Sequence, residues 1–155
     1  MVKLWIILGF VVFGVGCGSD DVAGLVETCD SGTTEDVCRV FEIVNQERVR
    51  AGQSELRFDP ALAEAAQRHA VDMAEQDYFS HSSLDGRTFS DRVGEATYDG
   101  FPTGENIAFG QRDADSVMVS WMNSSGHRNN ILSPNSNEIG VGLHETRWVQ
   151  VFGVR

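Results

Sequence analysis

The segment that most constrains the fold is Glu138-Ile139-Gly140-Val141-Gly142-Leu143. In a strand, alternate side chains point to opposite faces, so Ile139, Val141 and Leu143 share one face and Glu138, Gly140 and Gly142 the other. Glycine weakens a strand, and two on one face mark a place where a helix or a ligand comes close against the backbone. A second strand over residues 148–154 follows, with His144-Glu145-Thr146-Arg147 as the hairpin connection.

Upstream, the pattern is helical. Thr33 or Thr34 begins a helix with Asp36 in its first turn. Val37, Val40, Phe41, Val44 and Arg48 fall on one stripe of it, and Gly52 ends it. Asp59-Pro60 starts a second helix, with Asp as N-cap and Pro in the first helical position. Its inward face is Leu62, Ala65, Ala66, His69, Ala70, Met73 and Ala74, and it ends near Gln76. His69 inside that apolar stripe reads as a hydrogen-bonded core histidine, not a ligand. A short helix over residues 90–95 turns Phe89 and Val93 inward. Residues 99–104 form a loop leading into Glu105, and Asp113 caps a helix carrying Val117, Met118, Trp121 and Met122 on one face. Helices and strands interleave without regular βαβ units, which gives an α+β fold.

Residues 1–16 read as an export signal, with one charge, Lys3, before an apolar core. As a helix this core spans about 20 Å, too short for a hydrocarbon layer of about 30 Å. Residues 17–35 read as a polar tether and residues 36–155 as the folded domain. Of the three cysteines, setting Cys17 aside leaves Cys29 and Cys38 as one pair in an oxidising compartment. That bridge would be worth about 2–3 kcal/mol in the chain-entropy model; the alternative is two free thiols. Without residues 1–16 the chain keeps 11 arginines against 23 acids and no lysine, a net charge of −12. Such a balance disfavours nucleic acid and anionic lipid surfaces as partners.

Four spaced blocks carry a family resemblance: Tyr78-Phe79-Ser80-His81, Gly104-Glu105-Asn106-Ile107-Ala108, Ser124-Ser125-Gly126-His127-Arg128-Asn129-Asn130, and Glu138-Ile139-Gly140-Val141-Gly142. In this order they resemble the bacterial branch of the CAP superfamily, whose module is also called the SCP domain. The resemblance runs from about Val40 to the end of the chain. It implies a three-layer α-β-α sandwich with a small sheet between helical layers. It also implies a cleft with two histidines and two acidic residues, here His81, Glu105, His127 and Glu138. Asn106, Arg128 and Asn129 would support that cleft. The eukaryotic signature strand is not matched; only Gln150 is kept there. Gly14-Val15-Gly16-Cys17 resembles a bacterial lipoprotein cleavage site, departing from it at Gly14, where an aliphatic residue is usual. Cys17 is then the acylated residue, with ordinary signal cleavage or a short N-terminal anchor as the alternatives.

Two imidazoles and two carboxylates suit a borderline divalent ion such as Zn²⁺. The same four groups could instead form a hydrogen-bonded network that shapes a ligand cleft, or do general acid–base work. No serine stands in a nucleophile elbow, and no His-Glu-x-x-His occurs. The expectation is therefore an exported protein, tethered to the bacterial envelope or secreted, acting as a non-catalytic binding module for an envelope component, lipid or protein. Two alternatives stay open. One is a metal-dependent hydrolase acting on peptide or wall material. The other is a lipid or sterol carrier with an apolar groove at residues 98–102 around Phe101.

Overall fold

The computed structural model describes residues 33–155. The expected signal, most of the tether, Cys17 and Cys29 lie outside them. Helix α1 (Glu35–Arg50) begins at Thr34, whose hydroxyl accepts the Val37 amide hydrogen. Strand β1 (Arg57–Phe58) is short and pairs in parallel with the later strand β3 (Glu138–His144). Helix α2 (Pro60–Glu75) starts on Asp59, which accepts from the amides of Ala61 and Leu62. Helix α3 (Phe89–Glu95) opens with a full capping box between Thr88 and Asp91. Strand β2 (Phe101–Phe109), helix α4 (Ala114–Asn123), helix α5 (Ser125–Ile131) and strands β3 and β4 (Arg147–Val154) complete the chain.

The four strands form one sheet in the order β1-β3-β4-β2, so β2 is an edge. The sheet lies between two helical layers, an α-β-α sandwich. Against one face pack α1, α4 and α5, through Val40, Phe41, Val44, Val117, Trp121 and Ile131 onto Ile139, Val141, Trp148 and Phe152. Against the other pack α2 and α3, through Leu62, Ala66, Met73 and Val93 onto Ile107, Val149 and Val151. The reason α2 can come so close is Gly140 and Gly142. A Cβ on either would fall inside the α2 backbone, at Leu62–Ala63 and Ala66–Gln67 respectively.

Three elements differ from the sequence expectation. Residues 101–104 open strand β2 and are not loop; the strand holds because it pairs antiparallel with β4, from Phe101 opposite Val154 to Phe109 opposite Arg147. Ser124 is both the C-cap of α4 and the N-cap of α5, so a further short helix follows at once. Ala74 sits only half-buried at the margin of the α2 face. Among the described residues, no helix is long and apolar enough to cross a membrane.

Candidate functional site

The site lies at the free edge of β2. Glu105 points to the α2/α3 face of the sheet, opposite Val151 on β4, and its side chain is 1% exposed. A buried carboxylate is costly unless paired and hydrogen-bonded. Glu105 has two partners. Arg92 Nη2 donates to one oxygen at 2.6 Å, and His81 Nδ1 lies 2.8 Å from the other. A carboxylate oxygen can only accept, so Nδ1 of His81 carries the proton and Nε2 faces outward.

Arg92 is the centre of this arrangement. Its side chain is 5% exposed. Beyond Glu105 it donates to the carbonyls of His81 and Arg87 and to the Ser83 hydroxyl. One guanidinium thus ties the whole 81–87 loop to strand β2. The sequence reading missed this residue. Its signal was a charged side chain three residues after Phe89, on the inward stripe of a short helix.

His127 approaches from the other layer, on α5. Its ring is half-buried and hydrogen-bonds to no protein group among the described residues. Burial pushes its pKa below the ordinary histidine value, and the charge of His81 pushes it the same way. The His127 backbone is fixed from below. Asn106, fully buried, donates to the His127 carbonyl at 3.1 Å and to Gln150 at 3.0 Å. Asn130 donates to the Asn106 side chain and to the Glu105 carbonyl. Arg128 and Asn129, expected as cleft support, are exposed and make no side-chain bond among the described residues. Asn130 does that work, because on α5 it is the residue three on from His127 and so turns back toward the sheet.

Glu138 does not join the two histidines. It shares the sheet face of Glu105, but it sits opposite Gly153 on β3, with β4 between the two carboxylates. Tyr98 crosses over Gly153 and donates its hydroxyl to Glu138 at 2.5 Å. Arg57 and Arg155 donate to the other oxygen, each at 2.7 Å. The expected four-ligand metal set is therefore not assembled: among the described residues no three of His, Cys, Asp or Glu are grouped to hold an ion. Burial pushes the Glu138 pKa up, but the bonds from Tyr98 and Arg155 and the nearby guanidinium charges outweigh it, leaving a net downward shift. A lowered carboxyl pKa adds stability above the unfolded value and loses it as pH falls through the folded one. Glu138→Gln should cost about 1–3 kcal/mol at neutral pH. It should also flatten the loss of melting temperature below the ordinary glutamate range, as calorimetry across pH would register.

His69 is core, as the sequence suggested. It is fully buried in α2, and its Nε2 donates to the Ser80 carbonyl at 2.9 Å. Nδ1 is left unpartnered. Burial and the Arg92 charge hold this imidazole below the ordinary pKa, against the opposite pull of Glu105. Tyr98 is buried too, with its hydroxyl on Glu138, so of the two aromatic residues in segment 98–102 Phe101 alone is exposed, at 77%.

A family model described as the cysteine-rich secretory protein family, CAP, matches residues 41–152. The chain is 39% identical over 116 residues to the uncharacterized protein YkwD of Bacillus subtilis (strain 168), covering 74% of this chain and 45% of that one. It is 35% identical over 114 residues to the uncharacterized membrane protein YlbC of the same organism, covering 74% and 33%. This chain thus matches less than half the length of either relative. Among solved structures, an extracellular SCP-domain protein of Bacillus anthracis superposes with a TM-score of 0.75 at 32% identity, covering 77% of this chain and 40% of that one. An outer surface protein of Borrelia burgdorferi superposes with a TM-score of 0.71 at 25% identity, covering 79% and 95%.

Proposed function

The chain belongs to the cysteine-rich secretory protein (CAP) family, and from that premise we propose that it is an exported binding module whose ligand site is the His81–Glu105–His127 cleft. The observation that carries this reading is the pairing at Glu105. A buried carboxylate locked by Arg92 orients one imidazole outward, while a second imidazole, unbonded to protein, comes from the opposite layer.

The cleft is built to hold, not to attack. Ser80 accepts from the Ser82 amide, and Ser83 accepts from Arg92, so neither hydroxyl is bonded to an imidazole base. Nucleophilic catalysis needs such a bond or an equivalent activation. The donor chemistry suits a divalent ion of the zinc type, with Nε2 of His81 and the ring of His127 as its protein ligands. Glu105 behind His81 is the usual outer partner that fixes tautomer and ring orientation for a metal-bound histidine. A bound ion would supply a Lewis-acid point for a ligand carbonyl, carboxylate or phosphate oxygen. Glu138 takes no part.

Export fits the extracellular and outer-surface descriptions of two structural relatives and the membrane description of a third protein. We place the anchor at an acylated Cys17 and pair Cys29 with Cys38.

Calorimetric titration of the protein with zinc tests the site. Wild type should bind one ion, and His81→Ala/His127→Ala should lose at least tenfold in affinity, on the scale of removing an ion's supporting groups, with its melting temperature kept. A double variant that binds zinc as wild type does would overturn the assignment. Turnover of peptide or wall fragments that stops with chelator and with His127→Ala would move the reading to the hydrolase alternative.

A further inference from the structure

Among the described residues, three that are not glycine take a left-handed backbone, Asp77, Thr97 and Glu145, and two of them, Asp77 and Glu145, aim a carboxylate at the same guanidinium. Helix α2 ends in a motif in which the Tyr78 amide bonds to the Met73 carbonyl and the Asp77 amide to the Ala74 carbonyl. The residue following the cap in such an ending adopts a left-handed backbone, normally with glycine. Helix α1 ends in the same way and does carry glycine there, Gly52 at φ 74°. On α2 the position is Asp77, at φ 50°. The β3–β4 hairpin repeats the pattern: its first loop residue, Glu145, lies at φ 52°, a conformation that favours glycine.

Both converge on Arg147. Its guanidinium lies 3.2 Å from Asp77 and 3.4 Å from Glu145. It also stacks on the Phe109 ring, 4.7 Å from the centroid. Phe79 packs on Phe109, with centroids 6.1 Å apart, and the two rings are 50% and 53% exposed. Arg147 itself is nearly buried, and its Nε has no partner. Among the described residues the two carboxylates are the hydrogen-bond partners of this guanidinium, so they also offset a nearly buried charge. The Asp77 side chain is nonetheless 97% exposed and that of Glu145 66%, so both carboxylates also face solvent beside the two rings.

We propose that Phe79, Phe109, Asp77 and Glu145 form a docking patch for a basic, apolar peptide segment of another protein. One guanidinium neutralises only one of the two carboxylates, so the patch keeps a net negative charge, on a chain whose formal charge is −11. Cationic side chains complement that charge and also favour aromatic faces. The exposed rings take the apolar side chains. Phe79 lies two residues before His81 and Phe109 four after Glu105 on the same strand face, so the patch adjoins the cleft while depending on none of its groups.

The test is fluorescence anisotropy with a labelled hexapeptide alternating lysine and phenylalanine, beside its glutamate–phenylalanine counterpart and chitohexaose. The lysine peptide should bind, and should weaken with salt. Asp77→Gly/Glu145→Gly should weaken it at least about tenfold in protein that circular dichroism shows to be folded. Phe79→Ser/Phe109→Ser should weaken it comparably. Glu64→Gln/Asp115→Asn removes as much charge at distant surface sites and should leave affinity unchanged. The proposal is overturned if the lysine peptide does not bind, if the glycine pair binds it as wild type does, if the distant pair loses as much affinity, or if chitohexaose binds in its place.

Discussion

Gly140→Ala should lower stability by about 3 kcal/mol or more, at the upper end of the overpacking range. The added methyl would coincide with backbone atoms of Leu62 and Ala63. A flexible side chain could move aside; a helix backbone cannot without lifting α2 from the sheet. Lifting it would open the core formed by Leu62, Ala66, Met73, Val149 and Val151. For a domain of this size the melting temperature should fall by about 10 °C or more, and Gly142→Ala should behave alike, since its methyl would meet Ala66 and Gln67. Gly94→Ala is the contrast. That glycine lies inside α3 with open space around it, and alanine there should stabilise by about 0.5–1 kcal/mol. Thermal unfolding by circular dichroism reads all three. A Gly140→Ala melting temperature within a few degrees of wild type would mean that the sheet and α2 are not in contact as described.

Arg92→Leu should cost about 3–5 kcal/mol, the scale for leaving one charge of a buried pair uncompensated. Glu105 would lose its strongest partner while remaining buried, and the carbonyls of His81 and Arg87 would lose their donor. The 81–87 loop should loosen, and His81 with it. Arg92→Leu/Glu105→Leu should recover part of the loss, because the stranded charge is gone. A structural role alone would leave the ligand site intact in any variant that stays folded. The positioning role predicts weaker zinc binding in Arg92→Lys, which keeps the charge but cannot reach Glu105, His81 and Ser83 together. If Arg92→Leu melted as wild type does, Glu105 would have to be hydrated or protonated, and the arrangement at β2 would be wrong.

How far the sequence revealed this molecule differs by element. Helices α1 and α2 were legible because their ends carry local chemistry: a threonine cap at Thr34 and the Asp59-Pro60 start are each read from two residues. Strands β3 and β4 were legible from alternation. Strand β2 was not, because Pro102, Gly104 and Asn106 are poor strand formers; what makes it a strand is β4, many residues away. Strand β1 is two residues long and exists only through its pairing with β3. The site divides the same way. His81, Glu105 and His127 each stood in a recognisable block, and the fold brings them to one edge. Glu138 stood in an equally recognisable block and lies on the expected sheet face, yet strand order places β4 between it and Glu105, and strand order is not written in local pattern. Arg92 and Asn130 act through long-range bonds to Glu105 and Asn106; helical spacing turns each of them inward but does not name its partner.

The central claim is that His81 and His127, from opposite helical layers, face each other across the edge of β2. Proton NMR titration of the histidine ring signals in wild type and His81→Asn tests it directly. The account predicts that His127 titrates below the ordinary histidine range in wild type, held there by burial and by the charge of His81. In His81→Asn it should move upward. A His127 titration unchanged by the loss of His81 would contradict the account, because the two imidazoles could not then share one cleft.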